Sequence, residues 1–292
     1  MKIPSGPLLF TTVMTLAMAG AGSAWSANDV VVFGEPVNLG SSINTADGEG
    51  SPRVSADGLE LYFNSNRPGG SGGQDIWVSR RASPDAPWGP ATNLGEVVNS
   101  EANEGAPSIS SDGLELYFHD WGAHRPGGAG ETDIWVSRRA SVDDPWGEPV
   151  NLGDVNSVAN DGTPEISADM LELYFESERP GGYGSDDIWV ARRDSVDSPW
   201  GEPENLGQAI NTSEWEHCPN ISSDGLTLFF DLRIPGDLVV ARRVSTSAPW
   251  EAPVNLGHEE SDHWASSVTA AGDMLYFAAD RPGGQGKSDI WQ

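Results

Sequence analysis

One passage of sequence recurs five times along this 292-residue chain, and its period constrains the fold more than any composition does. In the first copy it runs Asn38-Leu39-Gly40, Asn44-Thr45, Pro52, Ser55-Ala56-Asp57-Gly58, Leu61-Tyr62-Phe63, Arg67-Pro68-Gly69-Gly70, Asp75-Ile76-Trp77 and Pro87-Trp88. The Asn-Leu-Gly element returns at Asn93, Asn151, Asn205 and Asn255, at spacings of 55, 58, 54 and 50 residues. Asp-Ile-Trp returns at Asp133, Asp187 and Asp289, with Asp237-Leu238-Val239 as a degenerate version. A period of this size indicates a repeat architecture, for which a β-propeller is the main all-β solution.

Inside each copy, short β-branched and aromatic runs alternate with turn signals, which is the pattern of strands. Four strands are expected per unit: Pro52 to Ser55, Leu59 to Asn64 after the Asp57-Gly58 turn, Asp75 to Arg80, and one near Ala91 to Leu94. Leu61-Tyr62-Phe63 is apolar on consecutive positions, so both faces of that strand should be covered, as in stacked blades. The fifth copy ends at Asp289-Ile290-Trp291-Gln292, and Val30 to Gly40 reads as a fourth strand lacking its first three. The expectation is therefore an all-β, five-bladed propeller of four-stranded blades, with an N-terminal strand completing the last blade and closing the ring.

Residues 1–27 read as a signal peptide: Lys2, an apolar stretch through Ala19, then small residues around Gly22-Ser23-Ala24. Residues 28–292 are then a single propeller domain, expected to be a monomer in the bacterial periplasm or secreted, with no stable membrane insertion after cleavage. Cys218 is the sole cysteine, so no internal disulfide supports an exported chain. The formal charge of −28 excludes the basic footprint that nucleic-acid binding needs.

Ser-x-Asp-Gly, Leu-Tyr-Phe, Arg-Pro-Gly-Gly and Asp-Ile-Trp in this order resemble the TolB-type, WD-like β-propeller repeat of exported bacterial proteins, over about residues 33 to 292. That resemblance implies the fold and leaves the function open. Such propellers include periplasmic scaffolds that bind envelope proteins, and similar rings carry glycoside hydrolase, polysaccharide lyase and peptidase chemistry.

Residues common to all copies are explained by building a blade, so functional signal is sought where copies disagree. Five residues before the first-strand apolar position stand Glu49, Glu104, Asp161, Glu216 and His263. Two roles are open to these acids. They could ring one mouth as a divalent cation site, calcium for example, or as catalytic carboxylates; or each could accept hydrogen bonds from its own loop. The neighbouring positions hold Gly and Asn in the first three copies but Trp215, His217, Asp262 and Trp264 later, with His258 replacing a repeated Asn. The second copy adds His119, Asp120, Trp121 and His124. Propeller connectivity would gather all of these around one mouth.

Tryptophans beside acids and histidines suit a sugar ring. The expected function is therefore binding of a glycan or an envelope protein, with Trp215, Trp264, Asp262, His119, Trp121, His124, His258 and Glu49 as ligand contacts. The alternative is a carbohydrate-active enzyme, a glycoside hydrolase or polysaccharide lyase, with Glu104, Asp161, Glu216, His217 and His263 as catalytic groups. A zinc site built on His217 and His263 has no tightly spaced ligand motif behind it. The repeated Arg67, Arg125, Arg179 and Arg281 are expected to brace their loops against an aspartate such as Asp75, and the Pro-Trp tryptophans to pack between blades.

Overall fold

In a computed structural model of the chain, the described residues are 34–122, 125–232, 237–256, 263–269 and 274–292, and the side chains of 263–266 and 268 are not described. The leader expected at 1–27 lies outside them. Residues Val37–Gln292 form one unit. Its described residues are strands joined by turns, with one 3-10 turn at Gly153–Val155. None of their helices is long and apolar enough to cross a membrane.

The first blade consists of β1 (Glu49–Val54), β2 (Glu60–Ser65), β3 (Asp75–Arg80) and β4 (Thr92–Asn93). The second is β5 (Asn103–Ile109), β6 (Glu115–Trp121), β7 (Thr132–Arg138) and β8 (Val150–Asn151). The third is β9 (Asp161–Ile166), β10 (Glu172–Ser177), β11 (Asp187–Arg192) and β12 (Glu204–Asn205). The fourth is β13 (Glu216–Ile221), β14 (Thr227–Leu232), β15 (Asp237–Arg242) and β16 (Val254–Asn255). A last sheet contains β17 (His263–Val268), β18 (Leu275–Ala279) and β19 (Asp289–Trp291). Each sheet pairs its strands antiparallel in chain order. The first strands meet in cyclic order, β1 with β5, β5 with β9, β9 with β13, β13 with β17 and β17 with β1.

The expectation of five four-stranded blades is corrected here, because four blades carry four strands and the β17–β19 sheet has three. Among the described residues no N-terminal strand completes that sheet. Residues 37–39 lie beside β19 through one bridge, Asn38 to Trp291, with backbone hydrogen bonds linking Val37 to Gln292 and Leu39 to Ile290. The ladder-type contact is confined to two residues, Asn38 facing Trp291 and Val37 exchanging both backbone hydrogen bonds with Gln292 (2.8 and 2.9 Å), where the first blade pairs Trp77 with Asn93 and Val78 with Thr92.

The repeated motifs explain the local geometry. In the β1–β2 turn, Ser55 Oγ donates to Asp57 (2.6 Å), the Leu59 amide donates to Asp57 (3.0 Å) and the Glu60 amide donates to Ser55 Oγ (2.9 Å). Gly58 takes φ +73°, a left-handed conformation that glycine adopts without a Cβ penalty. The Leu-Tyr-Phe triplets are fully buried at 61–63, 116–118 and 173–175. Their tyrosines meet the Pro-Trp tryptophan of the following blade edge-on, Tyr62 with Trp146, Tyr117 with Trp200 and Tyr174 with Trp250, at centroid distances of 6.4–6.5 Å. Each of these tryptophans lies under an arginine, 4.4 Å for Arg139 over Trp146, and that arginine reaches back to the preceding blade's Glu60, Glu115 or Glu172. Tryptophan, tyrosine, arginine and glutamate thus clamp one blade to the next.

Every first strand bends at the same place. A bulge follows Gly50, Gly105, Gly162 and His217. The residues in it, Ser51, Ala106, Thr163 and Cys218, all have φ between 44° and 52°. A bulge re-aims the side chains around it, and these bulges lie next to the rim described below.

Candidate functional site

The acids at the head of each first strand are turned into their own sheets. Glu49, Glu104, Asp161 and Glu216 are 0–1% exposed. Each takes the amide and the hydroxyl of the residue four positions earlier, which is Thr45, Ser100, Ser157 or Thr212. Three of them also bind a guanidinium: Arg67 to Glu49 at 3.0 Å, Arg125 to Glu104 at 2.8 Å and Arg179 to Asp161 at 2.5 Å. Of the two roles open to these acids, the geometry shows the loop-holding one. Burial pushes the carboxyls of Glu104 and Glu216 above the usual range, outweighing the hydrogen bonds that lower them.

The arginine brace therefore differs from expectation. Asp75, Asp133, Asp187 and Asp289 hold the backbone amides of the Pro-Gly-Gly turn, for example Ser71 and Gly72 on Asp75. That occupies them, and Arg67 folds over Phe63 and Trp77, 5.0 Å from each ring, to reach Glu49.

A second level of polar residues comes from one position per sheet. Immediately after Leu-Tyr-Phe stand Asn64, His119, Glu176 and Asp231, paired across the ladder with Gly50, Gly105, Gly162 and His217. The two glycines at 105 and 162 make room. A Cβ on Gly162 would lie 2.7 Å from His119 Nδ1 and 3.2 Å from Glu176 Oε1, and one on Gly105 would meet Trp121 at 2.8 Å. His119 therefore crosses from the second blade onto the third, where its Nδ1 accepts the Thr163 amide at 2.9 Å. That acceptor role places the neutral ring's proton on Nε2. Burial holds the His119 pKa down at about 4, against a small opposing pull from Glu176.

Glu176 crosses in the same direction from the third blade onto the fourth. Its Oε2 lies 3.0 Å from His217 Nδ1 and accepts the Cys218 amide at 3.2 Å. Asp186 Oδ2 is 3.7 Å from His217 Nε2, so this imidazole sits between two carboxylates. Burial raises the Glu176 pKa, but the hydrogen bond and charge of His217, with Thr163 and His119, outweigh it and leave Glu176 below the usual range. Trp121 meets His119 edge-on at 5.0 Å, and Trp215 meets His217 edge-on at 5.8 Å. His119, Trp121, Thr132, Asn160, Gly162, Glu176, Glu178 and Asp186 line a cavity of about 190 Å³.

Of the residues singled out in the sequence, His119, Trp121, Trp215 and His217 come together at this rim. Glu49, Glu104, Asp161 and Glu216 are held inside the sheets, as described. His124, His258 and Asp262 lie outside the described residues, as do the side chains of His263 and Trp264 on β17. Among the described residues no three His, Cys, Asp or Glu side chains converge as metal ligands do.

Sequence reading missed Glu176 and Asp186, and it missed a group where the first strands converge. Arg53, Ser108, Glu165 and Asn220 occupy one aligned position, just before the first-strand apolar residue. Glu165 receives Arg53 (3.1 Å), Ser108 (2.8 Å) and Asn220 (2.9 Å), from three other blades. Burial raises its pKa despite Arg53. The copies differ at this position, as they do at the one after Leu-Tyr-Phe that holds Asn64, His119, Glu176 and Asp231, and that difference is the signal for the Glu165 group in the sequence.

The sheet plan is that of a β-propeller, a fold this chain shares with TolB. Among solved structures, TolB from Acinetobacter baumannii is similar at TM-score 0.53 and 16% identity, over 84% of this chain and 54% of its own. The α-L-arabinofuranosidase of Lactobacillus brevis gives 0.55 and 13%, over 87% of this chain and 93% of its own. A thermostable family-43 glycoside hydrolase gives 0.53 and 14%, over 86% and 90%. The chain spans about half the length of that TolB structure, and at these identities the likeness establishes fold alone. The sequence matches no protein-family model and no curated protein.

Proposed function

We propose that this propeller binds a glycan at the rim of the second, third and fourth blades, with Trp121 and Trp215 as apolar platforms and His119, Glu176, His217 and Asp186 as hydroxyl partners. One observation carries the reading: side chains from three blades, each at a position where the repeat is broken, converge beside one cavity. A volume of about 190 Å³ is below the roughly 300–1,000 Å³ of sites for drug-sized ligands, which suits a single sugar unit at a chain end. Glycoside hydrolases among the structures of the same fold support the choice of ligand chemistry. In the same proposal the chain is an exported monomer, periplasmic or secreted, whose leader is removed, and an envelope protein is the competing partner. Thermal-shift measurements against neutral, acidic and basic oligosaccharides test it. Stabilisation by at least one oligosaccharide is expected, and its loss in Trp121→Ala; no shift with any of them contradicts the reading.

A second reading, a carbohydrate-active enzyme, is favoured by the Glu176–His217–Asp186 chain, since an imidazole held between carboxylates is suited to proton transfer near neutral pH. New reducing ends or unsaturated products from a bound oligosaccharide would establish it, and recovery of the ligand intact would dismiss it.

A further inference from the structure

The loop between the second and third strands of a blade lies against the loop that leads into the next blade, and a glycine makes the contact. A Cβ on Gly184 would lie 2.1 Å from the Glu214 carbonyl oxygen and 2.9 Å from that of Thr212. Gly72 meets the carbonyls of Ala102 and Ser100 in the same way, Gly130 those of Ala159 and Ser157, and Gly286 those of Asp47 and Thr45. This framework is repeated and serves the fold. The side chains it carries are not repeated. The residue before the glycine is Ser71, Ala129 or Gln285 elsewhere but Tyr183 in the third blade. The residue heading the facing strand is Gly48, Asn103 or Asn160 elsewhere but Trp215 in the fourth. Of these four loop pairs, one has an aromatic ring at both positions.

Tyr183 is 46% exposed and Trp215 is half-buried. An aromatic standing singly on a surface is ordinary. Two separate replacements on facing loops, neither required to build a blade, are a coincidence that recognition explains. The loops beneath them are already fixed. Asp187 accepts the amides of Tyr183 (2.6 Å) and Gly184 (3.0 Å), Thr212 Oγ1 accepts the Glu214 amide (3.0 Å), and the Asp186 carbonyl accepts the Glu216 amide (3.0 Å). A ligand laid on this base does not have to order it.

The pair adjoins the rim cavity. Asp186, three residues after Tyr183, lines that cavity, and Trp215 meets His217, itself 3.0 Å from Glu176 on the cavity wall. A path therefore leads from the cavity past Trp215 to Tyr183. Along it lie the carbonyls of Thr212 and Glu214 and the exposed Glu214 side chain. Apolar rings set among polar groups match a chain of sugar units, each with an apolar C–H face and hydroxyls around it. A protein partner is better served by a contiguous apolar centre to its interface.

We propose that a glycan held by its end in the cavity continues over Trp215 and Tyr183, so that the ligand is an oligosaccharide and Tyr183 sets its preference for chain length. This inference rests on the glycan reading above and adds length to it. The full chain is titrated calorimetrically with cello-, xylo- and chito-oligosaccharides, each from monomer to tetramer. In at least one series the trimer is expected to bind about tenfold more tightly than the monomer, the equivalent of about 1.4 kcal/mol. Tyr183→Ala should abolish most of that gain and leave monomer affinity unchanged, whereas Tyr183→Phe, which keeps the ring, should retain it. Gln285→Ala, at the corresponding exposed position of the last sheet, should have no effect.

A full gain with length in Tyr183→Ala overturns the proposal, as does an equal loss of monomer and trimer affinity in that variant. Monomer binding with no gain along any series in the wild type also overturns it, but leaves the glycan reading intact. Silence from all three series removes the glycan reading and this inference with it.

Discussion

Two sets of carboxylates occupy these sheets, in the third blade on adjacent rungs of one ladder, and their surroundings are opposed. Glu49, Glu104 and Asp161 are buried at the head of their strands, each closed by a guanidinium at 2.5–3.0 Å and by the amide and hydroxyl of its own loop. Glu176 and Asp186 stand at a rim, share one histidine and face a cavity. The first arrangement recurs in the first three blades as an internal tie between loop and strand. The second occurs where three neighbouring copies differ. A carboxylate that repeats with its arginine is serving the fold, whereas Glu176 replaces a neutral residue and crosses to the next blade, and the proposed recognition site is built on it.

The largest effect should come from breaking a repeated tie. Arg179→Met leaves Asp161, 0% exposed, as an uncompensated buried charge, and should cost about 3–5 kcal/mol in chemical denaturation. A loss below about 1 kcal/mol would show that the tie is not structural.

A pH effect of nearly that size belongs to His119. Its pKa is about 4 in the fold against about 6.5 unfolded, so between these values the unfolded chain binds a proton that the folded chain does not. Stability from this group is complete above about pH 6.5 and falls as the pH drops towards 4, by up to about 3 kcal/mol at 1.36 kcal/mol per unit. Glu104, Glu165 and Glu216, with raised pKa values, act in the opposite direction on acidification. The difference between wild type and His119→Asn, whose amide oxygen can still accept the Thr163 amide, isolates the histidine. Parallel pH profiles for the two proteins would contradict the assignment.

On the recognition side, Glu176→Gln should keep the unfolding free energy within about 1 kcal/mol of wild type, yet weaken oligosaccharide binding by roughly tenfold, the order of one charged hydrogen bond. Titration of both proteins with the same oligosaccharide checks this. The smallest effect sharpens the comparison within the fold. Ser65 and Ser177 donate to Glu49 and Asp161 in the first and third blades, but Asp120 occupies that place in the second, and among the described residues Glu104 Oε2 has no hydrogen-bond partner. Burial raises the pKa of both acids. Asp120→Ser should restore the missing donor and stabilise the protein by about 1 kcal/mol at pH 8, a gain read from its melting temperature.

Much of the strand plan was legible because it is repeated. Ser-x-Asp-Gly builds its own turn from local hydrogen bonds, and Leu-Tyr-Phe announces a strand covered on both faces, so each copy contains the reason for its own geometry. The completeness of the last sheet was not legible. The outer pairing is only two residues long, and so short a contact carries no sequence pattern that tells a strand from an adjoining loop. In the site, His119, Trp121, Trp215 and His217 stood out as unlike their counterparts. Glu176 did not, since its role depends on His217, 41 residues away on the next blade, just as His119 depends on the Thr163 amide 44 residues away. Such pairings become visible only when neighbouring sheets are placed side by side. The repeated acids showed the converse: their spacing suggested a ring around a mouth, but nearby hydroxyls and arginines turned them inward.

The most direct test is a urea denaturation series on two single-carboxylate variants, Asp161→Asn and Glu176→Gln, which remove one charge each about fifteen residues apart in the same blade. The account predicts a loss of several kcal/mol for Asp161→Asn and a change below about 1 kcal/mol for Glu176→Gln. Equal losses, or the reverse order, would contradict the division of these acids between fold and site.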